Sequence, residues 1–196
     1  MTQDILDAHF ELKACCNYLH FALQSGNNEM LTRMNRRHTY EDFKKKVEYL
    51  REKDPFFSIS TDIIVGFSEE TDAMFEDTLR AVEELEIDFV YLARYSQRTG
   101  TLASKMYGDT VPEEVKNERW HRLNRLLEHN VKKRGEKMIG EKVEILISGE
   151  KEGDFFGRTR NFKEVFFPKQ AGLKIGDTVW VEIESLKDWC LRGKLA

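Results

Sequence analysis

The stretch from Ile59 to Val65 is dense in β-branched residues, as a strand buried on both faces would be. Gly66 then permits a tight turn, and Thr71 can cap a helix that carries Met74, Phe75, Leu79 and Val82 at helical spacing. The same alternation of strand and helix occurs twice more. Apolar runs at 18–23 and 89–95 predict strands that flank the one at 58–67. Helical periodicity predicts helices at 29–34, 40–53, 72–85 and 112–134; Phe43, Val47 and Leu50 line one face of the second. Pro112 suits the first turn of the last helix, with Glu113 and Glu114 at its positive end. The order βα, βα, βα predicts an α/β domain with a parallel sheet, in which ligands bind beyond the carboxyl ends of the strands.

From about Lys137 the pattern shortens. Runs at 143–147, 162–167, 178–183 and 190–194 read as short strands punctuated by Gly149, Gly153, Gly157, Gly172 and Gly176. They predict a small antiparallel β-barrel and two domains, 1–136 and 137–196. Three β/α units do not close a barrel, so the first domain reads as half of something larger.

Composition narrows the class. The charged fraction is 34% and the hydrophobic fraction 40%, with three prolines, which fits a folded chain rather than a disordered one. No apolar run is long enough to span a membrane and no secretory leader is evident, so the expected compartment is the cytoplasm. Cys15, Cys16 and Cys190 show no metal-site spacing. The net charge of −4 argues against a general polyanion binder, but Lys116, Arg119, Arg122, Arg125, Lys132, Lys133 and Arg134 face only Glu118 and Glu128 in one segment, a local balance of +5. Such a helix either contacts phosphate or presents a solvated face.

Six segments along the chain resemble one family, the radical-SAM methylthiotransferases, and among them the tRNA enzymes. His20-Phe-Ala-Leu-Gln-Ser-Gly26 is similar to the family's His-Leu-Pro-x-Gln-Ser-Gly, and Arg33-Met-Asn-Arg-Arg-His-Thr39 to its Met-Asn-Arg-x-Tyr-Thr. Residues 60–67 resemble Thr-Asp-Ile-Ile-Val-Gly-Phe, and Tyr95-Ser-Gln-Arg-Thr-Gly-Thr101 resembles Tyr-Ser-Pro-Arg-x-Gly-Thr. Gly157-Arg-Thr-Arg-Asn161 resembles the core of the TRAM domain, an RNA-binding β-barrel; Val111-Pro-Glu-Glu-Val-Lys116 resembles the start of the preceding linker helix. Two departures stand out. The family's Gly-Phe-Pro-Gly-Glu-Thr is Gly66-Phe-Ser-Glu-Glu-Thr71 here, and its Tyr-Ser-Pro-Arg is Tyr95-Ser-Gln-Arg98.

The resemblance implies half a radical-SAM β/α barrel followed by an OB-like TRAM barrel, from an enzyme that adds a methylthio group to a modified adenosine beside the anticodon. It implies S-adenosylmethionine and two [4Fe–4S] clusters in the complete enzyme. The family's Cys-x-x-x-Cys-x-x-Cys does not occur here, so this chain should bind no cluster and be inactive alone. A separate N-terminal half carrying the clusters and a tRNA anticodon stem-loop are the implied partners, with no membrane. Gln24, Ser25, Asp62 and Arg98 are the implied cofactor contacts. Asp62, a carboxylate within an apolar strand, must face a polar lumen or pair with Arg36, Arg37 or Arg98. Arg98 could instead form a surface ion pair, and Gln24 and Ser25 could serve only turn backbone. His20 is expected to be a core histidine. For RNA, Arg158, Arg160, Asn161 and Lys163 combine basic and amide groups, and Arg119 and Arg122 lie on the basic helix. Phe162, Trp180 and Trp189 are expected in the core. Three other readings stay open: methylthiolation of a ribosomal protein, action on a threonylcarbamoyl-modified adenosine, and a non-catalytic RNA-binding protein.

Overall fold

A computed structural model describes residues 1–187 and 189–196, the side chain of Leu102 excepted. Its elements are α1 (Gln3–Glu11), β1 (Tyr18–His20), α2 (Asn28–Arg33), α3 (Tyr40–Lys53), β2 (Ser58–Val65), α4 (Asp72–Glu84), β3 (Phe89–Arg94), α5 (Leu102–Met106) and α6 (Glu113–Glu136). Then come β4 (Lys142–Lys151), β5 (Asp154–Thr159), β6 (Glu164–Pro168), β7 (Thr178–Lys187) and β8 (Cys190–Leu195). No helix among the described residues is long and apolar enough to cross a membrane.

The first three strands form a sheet in the order β1-β2-β3. β2 and β3 run parallel, with Asp62 opposite Tyr91 and Ile63 opposite Leu92. Side chains alternate between faces, so Ile59, Ile63 and Val65 point one way, into a core shared with Phe43, Val47 and Leu50 of α3 and Phe75 and Val82 of α4. Each fully buried apolar side chain of this kind stabilises by about 1.5–3 kcal/mol. Thr71 caps α4 through its side chain, which accepts from the Met74 N–H. Ser60, Asp62 and Ile64 point the other way and share their face with Phe89 and Tyr91, which are 52% and 56% exposed. The strand is therefore not buried on both faces as its sequence suggests: Asp62 and Ile64 are only partly covered.

The last five strands close a barrel in the order β4-β5-β6-β8-β7. Four seams are antiparallel, but β6 and β8 pair in parallel, so the barrel is OB-like rather than wholly antiparallel. Ile145, Ile147, Phe155, Val165, Phe167, Val181, Ile183 and Leu191 fill it. Gly157 and Gly193 also face inward: a Cβ at either would lie 2.1–2.2 Å from a backbone oxygen of the neighbouring strand. Both tryptophans expected in the core lie outside it. Val181 and Ile183 take the inward positions of β7, which turns Trp180 outward, and Trp189 sits at φ 73° just before β8. Phe162 is also outside, 46% exposed at φ 64° in the turn between β5 and β6.

The chain divides into two compact units. One joins the barrel to Met1–Leu19, Asp54–Ser58 and the end of α6; the other comprises His20–Lys53 and Ile59–Asn130. In the barrel unit, Asn17 donates to the Arg160 carbonyl (2.9 Å) and Arg134 to the carbonyls of Pro55 and Phe57 (3.3 and 3.2 Å).

Candidate functional site

The helix-free face of the sheet carries a polar cluster. Asp62 Oδ2 lies 3.2 Å from Nε2 of His20, whose Nδ1 lies 3.0 Å from Ser60 Oγ. The His20 ring meets Tyr91 edge-on at 5.5 Å. Asp62 thus pairs with His20 rather than with Arg36, Arg37 or Arg98, and His20 is no core residue, since 39% of its side chain is exposed. The adjacency of β1 and β2 explains this: both residues project from neighbouring strands onto the same open face.

Beyond the carboxyl end of β1, Gln24 is buried at φ 73° and bridges to β2, its N–H donating to the Asp62 carbonyl (2.8 Å) and its carbonyl accepting from Ile64 (3.1 Å). Gln24, Arg33, Met34, Arg36, Phe67 and Tyr107 contribute to the lining of a groove of about 440 Å³. Sequence reasoning passed over Arg36, Phe67 and Tyr107 as groove residues, although the Met-Asn-Arg segment was a signal for the first. Ser25 does not join them. Its hydroxyl is fully buried, 3.1 Å from Thr78 Oγ1, and accepts from the Asn27 N–H (3.2 Å), so it fixes the turn onto α4. Arg98 is exposed and lines an adjoining hollow with Ile64, Ala93, Tyr95 and Thr101.

The turn after β2 is held by buried charges. Gly66, at φ 71°, donates its N–H to Glu70 Oε2 (2.6 Å), which also accepts from Arg119 (2.8 Å). Arg119 donates further to Asp72 (2.7 Å) and to the Glu70 carbonyl (3.1 Å). Burial pushes the Glu70 carboxyl above its ordinary range, while the Gly66 N–H and Arg119 pull it down. Its second oxygen is buried with no hydrogen-bond partner among the described residues. Lys116, also buried, crosses Gly66 and binds both oxygens of Asp109 (2.6 and 2.7 Å). A substituted Cβ at Gly66 would lie 2.3 Å from Lys116 Cγ. These facts correct the reading of the basic helix as an RNA contact at Arg119, which is spent inside the protein. Arg122 is half-buried and donates to Glu76 (2.6 Å).

On the barrel unit, Arg158 lies over the Phe162 ring at 4.1 Å from its centroid. Arg160 donates to the carbonyls of Lys13 and Cys15 (2.9 and 2.6 Å) and lies 4.0 Å from Glu144, so it anchors the N-terminal segment. Asn161 is buried; its amide donates to the Phe56 carbonyl (3.1 Å) and its oxygen accepts from Thr159. The Lys163 backbone closes the same turn through Thr159, donating to its hydroxyl (3.0 Å) and accepting from its N–H (3.0 Å). Of this cluster, Arg158 is the member that the structure presents outward on a ring. Among the described residues, no group of three or more His, Cys, Asp or Glu side chains could hold a metal ion. The groove, by contrast, has the size and mixed lining suited to an amphipathic small molecule bearing a carboxylate.

Residues 1–82 match the Radical SAM superfamily and residues 136–196 the TRAM domain. The chain is 40% identical over 198 residues to the tRNA-2-methylthio-N(6)-dimethylallyladenosine synthase of Acetivibrio thermocellus, an alignment covering all of this chain and 41% of that protein. It is 42% identical over 167 residues to the protein of the same name from Caldicellulosiruptor saccharolyticus, covering 84% of this chain and 35% of the relative. The counterpart in Aquifex aeolicus is 35% identical over 195 residues, with coverages of 100% and 44%. The chain therefore spans less than half the length of these relatives. Among solved structures, coproporphyrinogen III oxidase from Escherichia coli, described as a radical SAM enzyme, is similar with a TM-score of 0.55 and 18% identity over 94% of this chain and 44% of its own, a likeness of fold.

Proposed function

Since this chain belongs to the radical-SAM methylthiotransferases, as their C-terminal portion, we propose that it forms one wall of the S-adenosylmethionine cavity and the RNA-binding domain of an enzyme that methylthiolates a modified adenosine beside the anticodon. The observation that carries this reading is the convergence, at the carboxyl ends of β1 and β2, of the Gln24 turn, the Arg36 groove and the open His20–Asp62 face. S-adenosylmethionine, bound with a cluster in the complete enzyme, supplies the radical that starts the chemistry. This chain's residues bind and orient. Arg36 suits a carboxylate, the aromatic and apolar lining of the groove suits an adenine ring, and Gln24, Asp62 and Arg98 offer polar contacts around it. The TRAM barrel would meet the tRNA anticodon stem-loop.

Both clusters would come from a Cys-rich N-terminal half, one for radical generation and one for sulfur delivery. The chain alone is then inactive. Co-expression with such a half, followed by mass spectrometry of tRNA nucleosides, should yield methylthio-adenosine only when both halves are present. No product from a cluster-loaded complex that binds both chains would sink the reading. A second reading is a non-catalytic RNA-binding protein, favoured by the TRAM match over residues 136–196. Retained tRNA binding with no product in that experiment would support it.

A further inference from the structure

Outside the barrel, four aromatic rings and two guanidinium groups follow one another in a stripe, in the order Tyr18, Phe162, Arg158, Phe156, Phe166 and Arg192. Phe162 stacks on Tyr18 with centroids 4.6 Å apart and planes at 25°, and Arg158 lies over the same Phe162 ring. Phe156 occupies the same face of β5 two residues before Arg158, about 7 Å away along the strand. Phe156 stands opposite Phe166 of β6, their rings 5.6 Å apart. Phe166 stands in turn opposite Arg192 of β8, whose guanidinium lies 5.5 Å from its centroid. The barrel core needs none of these rings: Phe155 and Phe167, their sequence neighbours, fill it. Phe162 moreover keeps a left-handed backbone that a glycine would adopt at no steric cost, so the ring is retained in a conformation unfavourable to it.

We infer that this stripe binds unpaired nucleotides of an RNA, taking successive bases by stacking on its rings and on the outer face of the Arg158 guanidinium. The inference rests on the RNA-binding role proposed for the barrel and specifies its ligand as single-stranded segments rather than a stem. Rings and guanidinium planes spaced a few ångströms apart suit unstacked bases, every one of which has a π-face. A helical stem hides those faces in its own stack. Positive charge plays a lesser part, because Arg192 is partly neutralised by Asp154 at 3.0 Å.

The test is a binding titration of the whole 196-residue chain with a short oligoadenylate and with the duplex that it forms with oligouridylate. The single strand should bind better, and log K should fall with log salt at a slope of only about −1 to −2, the contribution of two guanidinium groups. Phe162→Gly should weaken single-strand binding by about tenfold or more. Its melting temperature should stay level or rise, which separates a lost contact from a lost fold. Arg192→Gln, at the far end, should weaken binding and flatten the salt slope by about 0.7. Duplex preference with a steep slope, or full binding by Phe162→Gly, would overturn the stripe and leave an RNA-binding barrel standing. Binding of neither probe would overturn both.

Discussion

Glu69 shows how a single position can depart from its family's pattern and still fold. It stands where the family motif that this segment resembles has glycine, and it has a left-handed backbone open to glycine, at φ 61°. A β-carbon in that region costs roughly 1–2 kcal/mol. Glu69 offsets part of this by reaching Arg33 of α2 at 2.6 Å, an exposed pair that contributes at most about 1 kcal/mol. Glu69→Gly should therefore raise unfolding stability by about 0.5 kcal/mol in urea titration. A loss of stability would mean that the ion pair outweighs the backbone. Glu70, next to it, carries a pH signature. Because burial raises its pKa, its contribution to stability is fully present below the ordinary glutamate range and is lost as pH climbs through the raised value. The gap in melting temperature between wild type and Glu70→Gln should narrow as pH rises, and a widening gap would reverse the assignment. Ser25 could not be sorted from sequence, since the partner that buries it, Thr78, lies 53 residues on.

At the level of elements, α3 is legible to the residue, and β2 and α4 to within two, because β-branched density and 3.6-residue periodicity coincide there with a glycine turn and a threonine cap. β5 was not legible as a strand. Its sequence Asp-Phe-Phe-Gly-Arg-Thr places a glycine at an inward position, where apolar alternation breaks. That glycine is there because β4 passes too close for a side chain: a Cβ on Gly157 would meet Leu146 O at 2.1 Å. Gly157→Ala should cost about 2 kcal/mol or more, as overpacking does, measured by thermal denaturation. The basic stretch of α6 misleads for a different reason, since charge counted along a helix ignores what faces it. Arg119 meets Glu70 and Asp72, and Arg122 meets Glu76. Arg119→Ala should cost about 3–5 kcal/mol by stranding the Glu70 carboxylate, with tRNA affinity of the folded fraction unchanged. Lost affinity in a stable variant would restore the RNA role.

Across the whole molecule, the sheet ends among the described residues in two unpaired edges, β1 and β3, and bares Phe89 and Tyr91 on one face. Three β/α units, too few to close a barrel, are readable in the sequence, and unfinished sheets invite pairing with other chains. The isolated chain should elute as a concentration-dependent oligomer, and Phe89→Lys with Tyr91→Lys should shift it toward monomer; a monodisperse wild-type monomer would refute this. Less readable was the make-up of the barrel unit, because a change of texture near residue 137 says nothing of which distant segments fold against the strands beyond it. That unit gathers Met1–Leu19, Asp54–Ser58 and the C-terminal 66 residues, Val131–Ala196. The carbonyls of Lys13 and Cys15 find their donor in Arg160, and the carbonyl of Phe56 finds its donor in Asn161. On a ribosome adding about 5–20 residues per second, the first of these segments emerges on the order of ten seconds before its partners exist. Helix α1 is thus made well before the strands its segment folds against, and the barrel unit can close only once β8 has been made.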